Sequence, residues 1–251
     1  MTEAMKQVFK QTSYLTDIQR SFCPGCTHGI VHRIFCEVLE EMNLLEKTVI
    51  VIPVGCSTLS VDYFEFDTIQ AAHGRAPAVA TGVKRADPNL MVLTYQGDGD
   101  LASIGTAEIV HAANRGENIT TIFINNGIYG MTGGQMAPTT LIGWKTETSP
   151  YGRKASNDGN PIRMSEMLSQ LNGPAYIART AVDSPKNIMN TKRSIRKAYQ
   201  AQLKGLGFSM VEILSTCPTN WGMNPVDSLK RIQEETIKYY PLGEYKVSEG
   251  L

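Results

Sequence analysis

The sequence lacks the features that would place it in a membrane, outside the cell or on a nucleic acid. No apolar run approaches the roughly 20 residues of a membrane span, and the first 14 residues contain no apolar core of signal-peptide length. Basic and acidic residues both number 24, so no net charge attracts nucleic acid or an anionic membrane from a distance. We therefore expect a cytoplasmic protein whose partners are small molecules and other proteins.

Apolar runs alternate with amphipathic segments along the 251 residues. Buried parallel strands are predicted at 49–52, 91–93, 121–124 and 210–214, and helices at 30–42, 102–114 and 188–203. This alternation predicts an α/β fold of three layers with a mainly parallel central sheet. We expect a single domain over residues 1–251, in which the polar residues 1–20 form an arm that binds a partner.

Two polar motifs follow predicted strands. Gly97-Asp98-Gly99-Asp100 precedes a helix predicted to begin near Leu101, where glycines and free N–H groups favour a phosphate. Asp98 would repel a diphosphate unless a cation such as Mg²⁺ joined the two. The next predicted strand ends at Asn125 and Asn126, which bring a second side-chain oxygen to the same sheet edge. Taken singly, each motif is more simply explained as a turn, but the pair predicts a magnesium diphosphate site.

Four of the five cysteines are predicted to gather at the same sheet edge. Cys23 and Cys26 form a CxxC pair, whereas Cys56 and Cys217 each follow a predicted strand. Cys36 lies within a predicted helix and is interpreted as a small core residue. The four thiols suit either an iron–sulfur cluster or structural zinc, and composition alone leaves both open.

Taken together, the motifs CPGC, GCS, AHGRAPAVATG, GDGDLASIG, INNGIYGMTGGQ and STCP resemble the thiamine-diphosphate-binding β subunit of 2-oxoacid:ferredoxin oxidoreductases over residues 20–222. The resemblance implies the thiamine-diphosphate-binding fold, with Mg²⁺ on Asp98, Asn126 and the backbone carbonyl of Ile128. It also implies a [4Fe–4S] cluster on Cys23, Cys26, Cys56 and Cys217. The cofactor itself would contact Cys56, Ser57, Thr58, His73, Gly97, Gly99, Asp100, Tyr129, Gly130 and Met131.

The activity implied by this resemblance is the CoA-dependent oxidative decarboxylation of a 2-oxo acid, with electrons passed to ferredoxin. The glutamate that activates thiamine would come from a partner subunit in a hetero-oligomer, which leaves His73 as the one candidate catalytic residue in this chain. The motifs CPGCTHG and AHGRAPAVATG resemble those of family members that act on 2-oxoglutarate or branched 2-oxo acids more than those of members that act on pyruvate.

One position departs from the family pattern, because Gly133 stands where some members carry a lysine that handles substrate or CoA. Two rival functions also remain at this point. The first is a non-oxidative thiamine lyase or synthase, which would not need the cysteines. The second is a zinc-stabilised binding subunit without catalytic activity, in which both glycine motifs are turns.

Overall fold

The computed structural model describes residues 10–251, which form a sheet of seven strands and a separate two-stranded hairpin. The strands are β1 (Thr48–Pro53), β2 (Asp67–Ala71), β3 (Met91–Gly97), β4 (Thr120–Asn125), β5 (Ile128–Tyr129), β6 (Gln135–Met136), β7 (Pro174–Ala181), β8 (Phe208–Leu214) and β9 (Gly243–Val247). The order across the sheet is β2-β1-β3-β4-β8-β7-β9, and β5 pairs with β6. Every pairing in the large sheet is parallel except that of β9 with β7 at one edge.

Helices cover both faces of this sheet. They are α1 (His28–Glu41), α2 (Ala76–Ala86), α3 (Thr106–Asn114), α4 (Ala155–Asp158), α5 (Met164–Ser169), α6 (Pro185–Leu203), α7 (Pro218–Trp221), α8 (Pro225–Arg231) and α9 (Ile237–Tyr239). Ile50 and Ile52 of β1 join the apolar core formed with α1 and α6, whereas Val51 joins the core formed with α2, α3 and α5. Alternate strand residues thus point into opposite layers, as expected of a sheet buried on both faces. The predicted three-layer α/β fold is confirmed.

The four predicted strands correspond to β1, β3, β4 and β8, and the three predicted helices to α1, α3 and α6. The helix expected near Leu101 begins with a π-helical segment, Asp100–Ile104, before α3. Strands β2, β5, β6, β7 and β9 were not predicted. All eight residues of β7 are buried, but they include Arg179 and Thr180, which interrupt the apolar pattern.

Part of the N-terminal segment packs on the domain. The Tyr14 side chain is buried, and its hydroxyl accepts a hydrogen bond from the backbone N–H of Leu45. Leu15 forms a β-bridge with Phe64. Residues 1–9 of the predicted partner-binding arm lie outside the described residues. Within residues 10–251, every helix is too short or too polar to serve as a transmembrane segment.

Candidate active site

A cavity of about 440 Å³ opens where the strands of the parallel sheet end. Cavities of this size hold small molecules and cofactors, and open α/β sheets bind ligands at this edge. Of the residues predicted to bind cofactor or Mg²⁺, only Thr58 does not line it, and the Thr58 hydroxyl donates to the backbone carbonyl of Pro53 at 3.0 Å. The predicted residues around the cavity are Cys56, Ser57, His73, Gly97, Asp98, Gly99, Asp100, Asn126, Ile128, Tyr129, Gly130 and Met131.

The carboxylate of Asp98 ties the ends of β3 and β4 together. One of its oxygens accepts from the N–H of Gly99 at 2.9 Å. The other accepts from the N–H of Gly127 at 2.7 Å and from the Thr139 hydroxyl at 2.5 Å. Burial raises the pKa of Asp98 to about 6, although these hydrogen bonds act in the opposite direction. A buried carboxylate held in this way suits a cation, which would offset the cost of its desolvation.

The two asparagines of the second motif have different surroundings. Asn125 faces away from the cavity, and its amide donates to the buried carboxylate of Glu212 at 2.8 Å. Asn126 lines the cavity, and its Oδ1 accepts from the N–H of Ile128 at 3.2 Å. Gly127, between Asn126 and Ile128, has a φ of 70°, and a Cβ at this position would lie 2.8 Å from the Trp144 ring. Asn126 and Ile128, on either side of this turn residue, line the same cavity as Asp98.

Both oxygens of the Asp100 carboxylate accept hydrogen bonds from other groups of the protein. One oxygen accepts from the N–H of Gly74 at 2.6 Å and lies 3.0 Å from Nδ1 of His73. The other accepts from the Gln96 amide at 2.6 Å, and burial raises the pKa of Asp100. His73 Nδ1 also lies 2.8 Å from the carbonyl of Val54. Two acceptors at Nδ1 favour the tautomer protonated there, which leaves Nε2 as an acceptor.

Tyr129 closes over the start of the GDG segment. Its hydroxyl donates to the carbonyl of Gly99 at 3.0 Å. A Cβ on Gly99 would overlap the Tyr129 ring, so glycine is required there by the close approach of the ring. The ring and the GDG backbone together form one wall of the cavity.

The four cysteines predicted to act together lie near one another and near the cavity. All are free thiols, and Cys56 lines the cavity. Burial, with a smaller contribution from the neighbouring thiols, raises the pKa of Cys26 and of Cys56 to about 12. A Cβ built on Gly130 would lie 3.0 Å from the Cys56 sulfur and 3.6 Å from the Cys217 sulfur. Cys36 is fully buried in the apolar core, apart from this set.

The cysteine thiols and the side-chain oxygens of Asp98 and Asn126 suit different metals. Among residues 10–251, no three His, Cys, Asp or Glu side chains converge on a point where one ion could bind. A tetrahedral zinc site needs all four sulfurs about 2.3 Å from one ion, whereas the irons of a cluster connect sulfurs that lie further apart. The four free thiols supply the four thiolates that a [4Fe–4S] cluster takes. Asp98 and Asn126 fit Mg²⁺ if phosphate oxygens complete its coordination.

Several polar side chains of the site were not predicted from the sequence. Thr139 bonds Asp98, while Thr132, Gln135 and His28 line the cavity. His28 contacts the Tyr95 hydroxyl through Nδ1, and burial lowers the pKa of His28 to about 4, so its imidazole is neutral at pH 7. Its place two residues after Cys26 was an available signal. Thr139 lies in a loop far along the chain, where no motif marks it.

Comparisons with known proteins agree with this geometry. A family profile described as "Thiamine pyrophosphate enzyme, C-terminal TPP binding domain" matches residues 53–213. Ketoisovalerate oxidoreductase subunit VorA from Methanothermobacter marburgensis is 43% identical over 97% of this chain and 51% of its own length. 2-Oxoglutarate synthase subunit KorB from Archaeoglobus fulgidus is 41% identical over 85% of this chain and 75% of its own length. The chain thus spans about half the length of the first of these relatives.

A solved structure supports the same relationship. It is described as 2-oxoglutarate:ferredoxin oxidoreductase from Magnetococcus marinus with 2-oxoglutarate, coenzyme A and succinyl-CoA bound. The two chains superpose with a TM-score of 0.81 at 27% sequence identity, covering 98% of this chain and 87% of the other.

Proposed function

Because the chain belongs to the 2-oxoacid:ferredoxin oxidoreductase family and carries its thiamine-pyrophosphate-binding domain, we propose that it is the subunit that binds thiamine diphosphate, Mg²⁺ and a [4Fe–4S] cluster. The assembled enzyme would oxidatively decarboxylate a 2-oxo acid, form an acyl-CoA and reduce ferredoxin. The single observation that carries this proposal is the position of Gly130, a cavity residue whose backbone lies against the Cys56 and Cys217 sulfurs. The Cys56 and Cys217 sulfurs thus lie beside the cavity that we assign to the cofactor.

Asp98, Asn126 and the carbonyl of Ile128 would hold Mg²⁺ at the carboxyl edge of β3 and β4. The bonds from Gly127 and Thr139 orient the Asp98 carboxylate before the ion arrives, so little ordering remains when it binds. The N–H groups at the start of Asp100–Ile104 would face the diphosphate. His73, fixed by Asp100, would present Nε2 towards the cavity and accept a proton there.

Cys23, Cys26, Cys56 and Cys217 would hold the cluster. When bound, thiamine diphosphate supplies an electron sink for loss of CO₂, and the cluster supplies one-electron transfer to ferredoxin. Burial keeps the free Cys26 and Cys56 thiols protonated at pH 7, so cluster assembly must release their protons. Free thiols in this number favour the reducing cytoplasm as the compartment.

The substrate is proposed to be a branched 2-oxo acid or 2-oxoglutarate rather than pyruvate. Val54, Ile124 and Met131 give the cavity apolar surface, which suits a branched carbon chain. CoA is the proposed co-substrate. A partner subunit would supply the glutamate that activates the cofactor, so the chain is expected to work in a hetero-oligomer with ferredoxin as electron acceptor.

Metal analysis of the protein, purified anaerobically with its natural partners, tests this function. We expect about four irons per chain and broad visible absorbance. Colourless protein with one zinc per chain would instead indicate a zinc-stabilised binding subunit. Thiamine-dependent turnover by protein without iron would indicate a lyase or synthase.

Cys56→Ala supplies the matching genetic test, with Cys36→Ala as its control because Cys36 is a buried cysteine outside the thiol set. Cys56→Ala should abolish CoA-dependent ferredoxin reduction, whereas Cys36→Ala should retain iron and activity. Full ferredoxin reduction by Cys56→Ala would refute the cluster assignment. Comparing 2-oxoisovalerate, 2-oxoglutarate and pyruvate as substrates in the same assay tests the specificity.

A further inference from the structure

The side chain of Asn220 connects the thiol set to the wall of the cavity. Its Nδ2 donates to the carbonyl of Gly130 at 2.9 Å and to the sulfur of Cys217 at 3.4 Å. A primary amide nitrogen carries two N–H groups, so each acceptor receives its own hydrogen. Asn220 therefore holds one cysteine sulfur and one cavity loop in a fixed relation.

The local fold explains this position. Helix α7 begins at Pro218, directly after Cys217, and the N–H of Trp221 donates to the carbonyl of Cys217 at 2.9 Å. This turn carries Asn220 back over Cys217, whose sulfur also accepts a bond from the backbone N–H of Asn220. On its other side, Asn220 packs on Gly134, where a Cβ would lie 3.3 Å from the Asn220 Cβ. The amide is thus held between α7 and the loop that carries Gly130.

Other polar side chains near the thiols are bonded elsewhere. The hydroxyl of Thr27 lies 2.6 Å from that of Ser215, and the Ser57 hydroxyl donates to the carbonyl of Pro53 at 3.1 Å. Asn220 by contrast directs a side-chain donor at a sulfur.

We infer that Asn220 is a positioning residue that fixes the Cys217 sulfur against the Gly130 loop and raises the reduction potential of the cluster. This inference rests on the proposed function. A donor stabilises negative charge on the sulfur, and the reduced cluster carries one more negative charge than the oxidised one. Removing one hydrogen bond to a charged group should lower the equilibrium constant for reduction by about tenfold, which is about 59 mV for a one-electron couple.

Two variants of the complete complex test the inference. Asn220→Leu removes both side-chain donors at similar size, and Asn220→Asp replaces them with a carboxylate, while both keep the backbone N–H. We expect full iron content in each, with the midpoint potential about 59 mV lower in Asn220→Leu and lower still in Asn220→Asp. Asn160→Leu makes the same exchange at an exposed position and should leave the potential unchanged. Potentials are read by redox titration with electron paramagnetic resonance.

The outcomes separate this inference from the proposed function. Iron-replete variants with the unaltered midpoint potential would overturn the role of Asn220. Loss of iron from both variants, in chains that stay folded, would also overturn it, because Asn220 would then be needed for the cluster to assemble and would not set the potential of an assembled one. Absence of iron from the unsubstituted complex would refute the proposed cluster, and with it the premise.

Discussion

Replacing Arg179 with methionine should destabilise the protein, because Arg179 belongs to a buried ion pair close to the proposed magnesium site. The guanidinium is fully buried and lies between two carboxylates, 2.9 Å from Glu212 and 2.5 Å from Glu166. Burial alone would lower the pKa of Arg179, but Glu212 and Glu166 outweigh it and raise the pKa above its ordinary value. Glu212 also accepts a hydrogen bond from the side-chain amide of Asn125, the residue before Asn126. The ion pair therefore holds the Glu212 carboxylate that binds Asn125 at the end of β4.

The Arg179→Met exchange keeps much of the side-chain volume but leaves the Glu212 carboxylate, which is 1% exposed, without its cation. Removing one partner of a buried ion pair typically costs about 3–5 kcal/mol, because the remaining charge is desolvated and unpaired. We expect a loss of that size in the free energy of unfolding. The double variant Arg179→Met/Glu212→Gln removes the unpaired charge and should recover part of the loss.

Urea unfolding at pH 7, followed by circular dichroism, measures this loss. Arg85→Met is the matched control, because Arg85 pairs with Glu117 but its side chain is 64% exposed, and exposed pairs contribute about 0–1 kcal/mol. If Arg179→Met lost no more stability than Arg85→Met, the reasoning about the buried pair would be wrong. Weakened binding of thiamine diphosphate by Arg179→Met would further connect the pair to the site.

Two further predictions concern the cofactor cavity. Because burial raises the pKa of folded Asp98 to about 6, its protonated form stabilises the fold at low pH, and this contribution is lost as pH rises through 6. In the absence of Mg²⁺ and cofactor, the unsubstituted chain should lose about 2–3 kcal/mol relative to Asp98→Asn between pH 4 and 7 in urea unfolding, and parallel pH profiles would contradict this. Gly99→Ala would displace the Tyr129 ring and should weaken thiamine diphosphate binding at least about tenfold by calorimetry, which corresponds to 1.4 kcal/mol. Gly82→Ala, in helix α2 with open space around the new methyl group, should leave that affinity unchanged, and equal affinities in both variants would refute the steric argument.

The sequence by itself determined the fold class and the proposed diphosphate motif. Strands β1, β3, β4 and β8 each contain a short apolar run, because each is buried on both faces of the sheet. Asp98 and Asn126 could be predicted because each directly follows such a strand. The match to the family, also predicted from the motifs, is confirmed by the comparisons.

Only the tertiary structure decided which polar groups support those motifs. Strand β7 could not be predicted from its sequence, because it contains Arg179, a residue typical of surfaces. In the folded protein Arg179 is buried and forms ion pairs with two carboxylates from other elements. Thr139 and Asn220 reach Asp98 and Cys217 through loops and turns without a sequence signature. A motif records local backbone requirements, whereas a hydrogen bond between distant segments depends on how the chain packs. The supporting residues could therefore be found only in the folded protein.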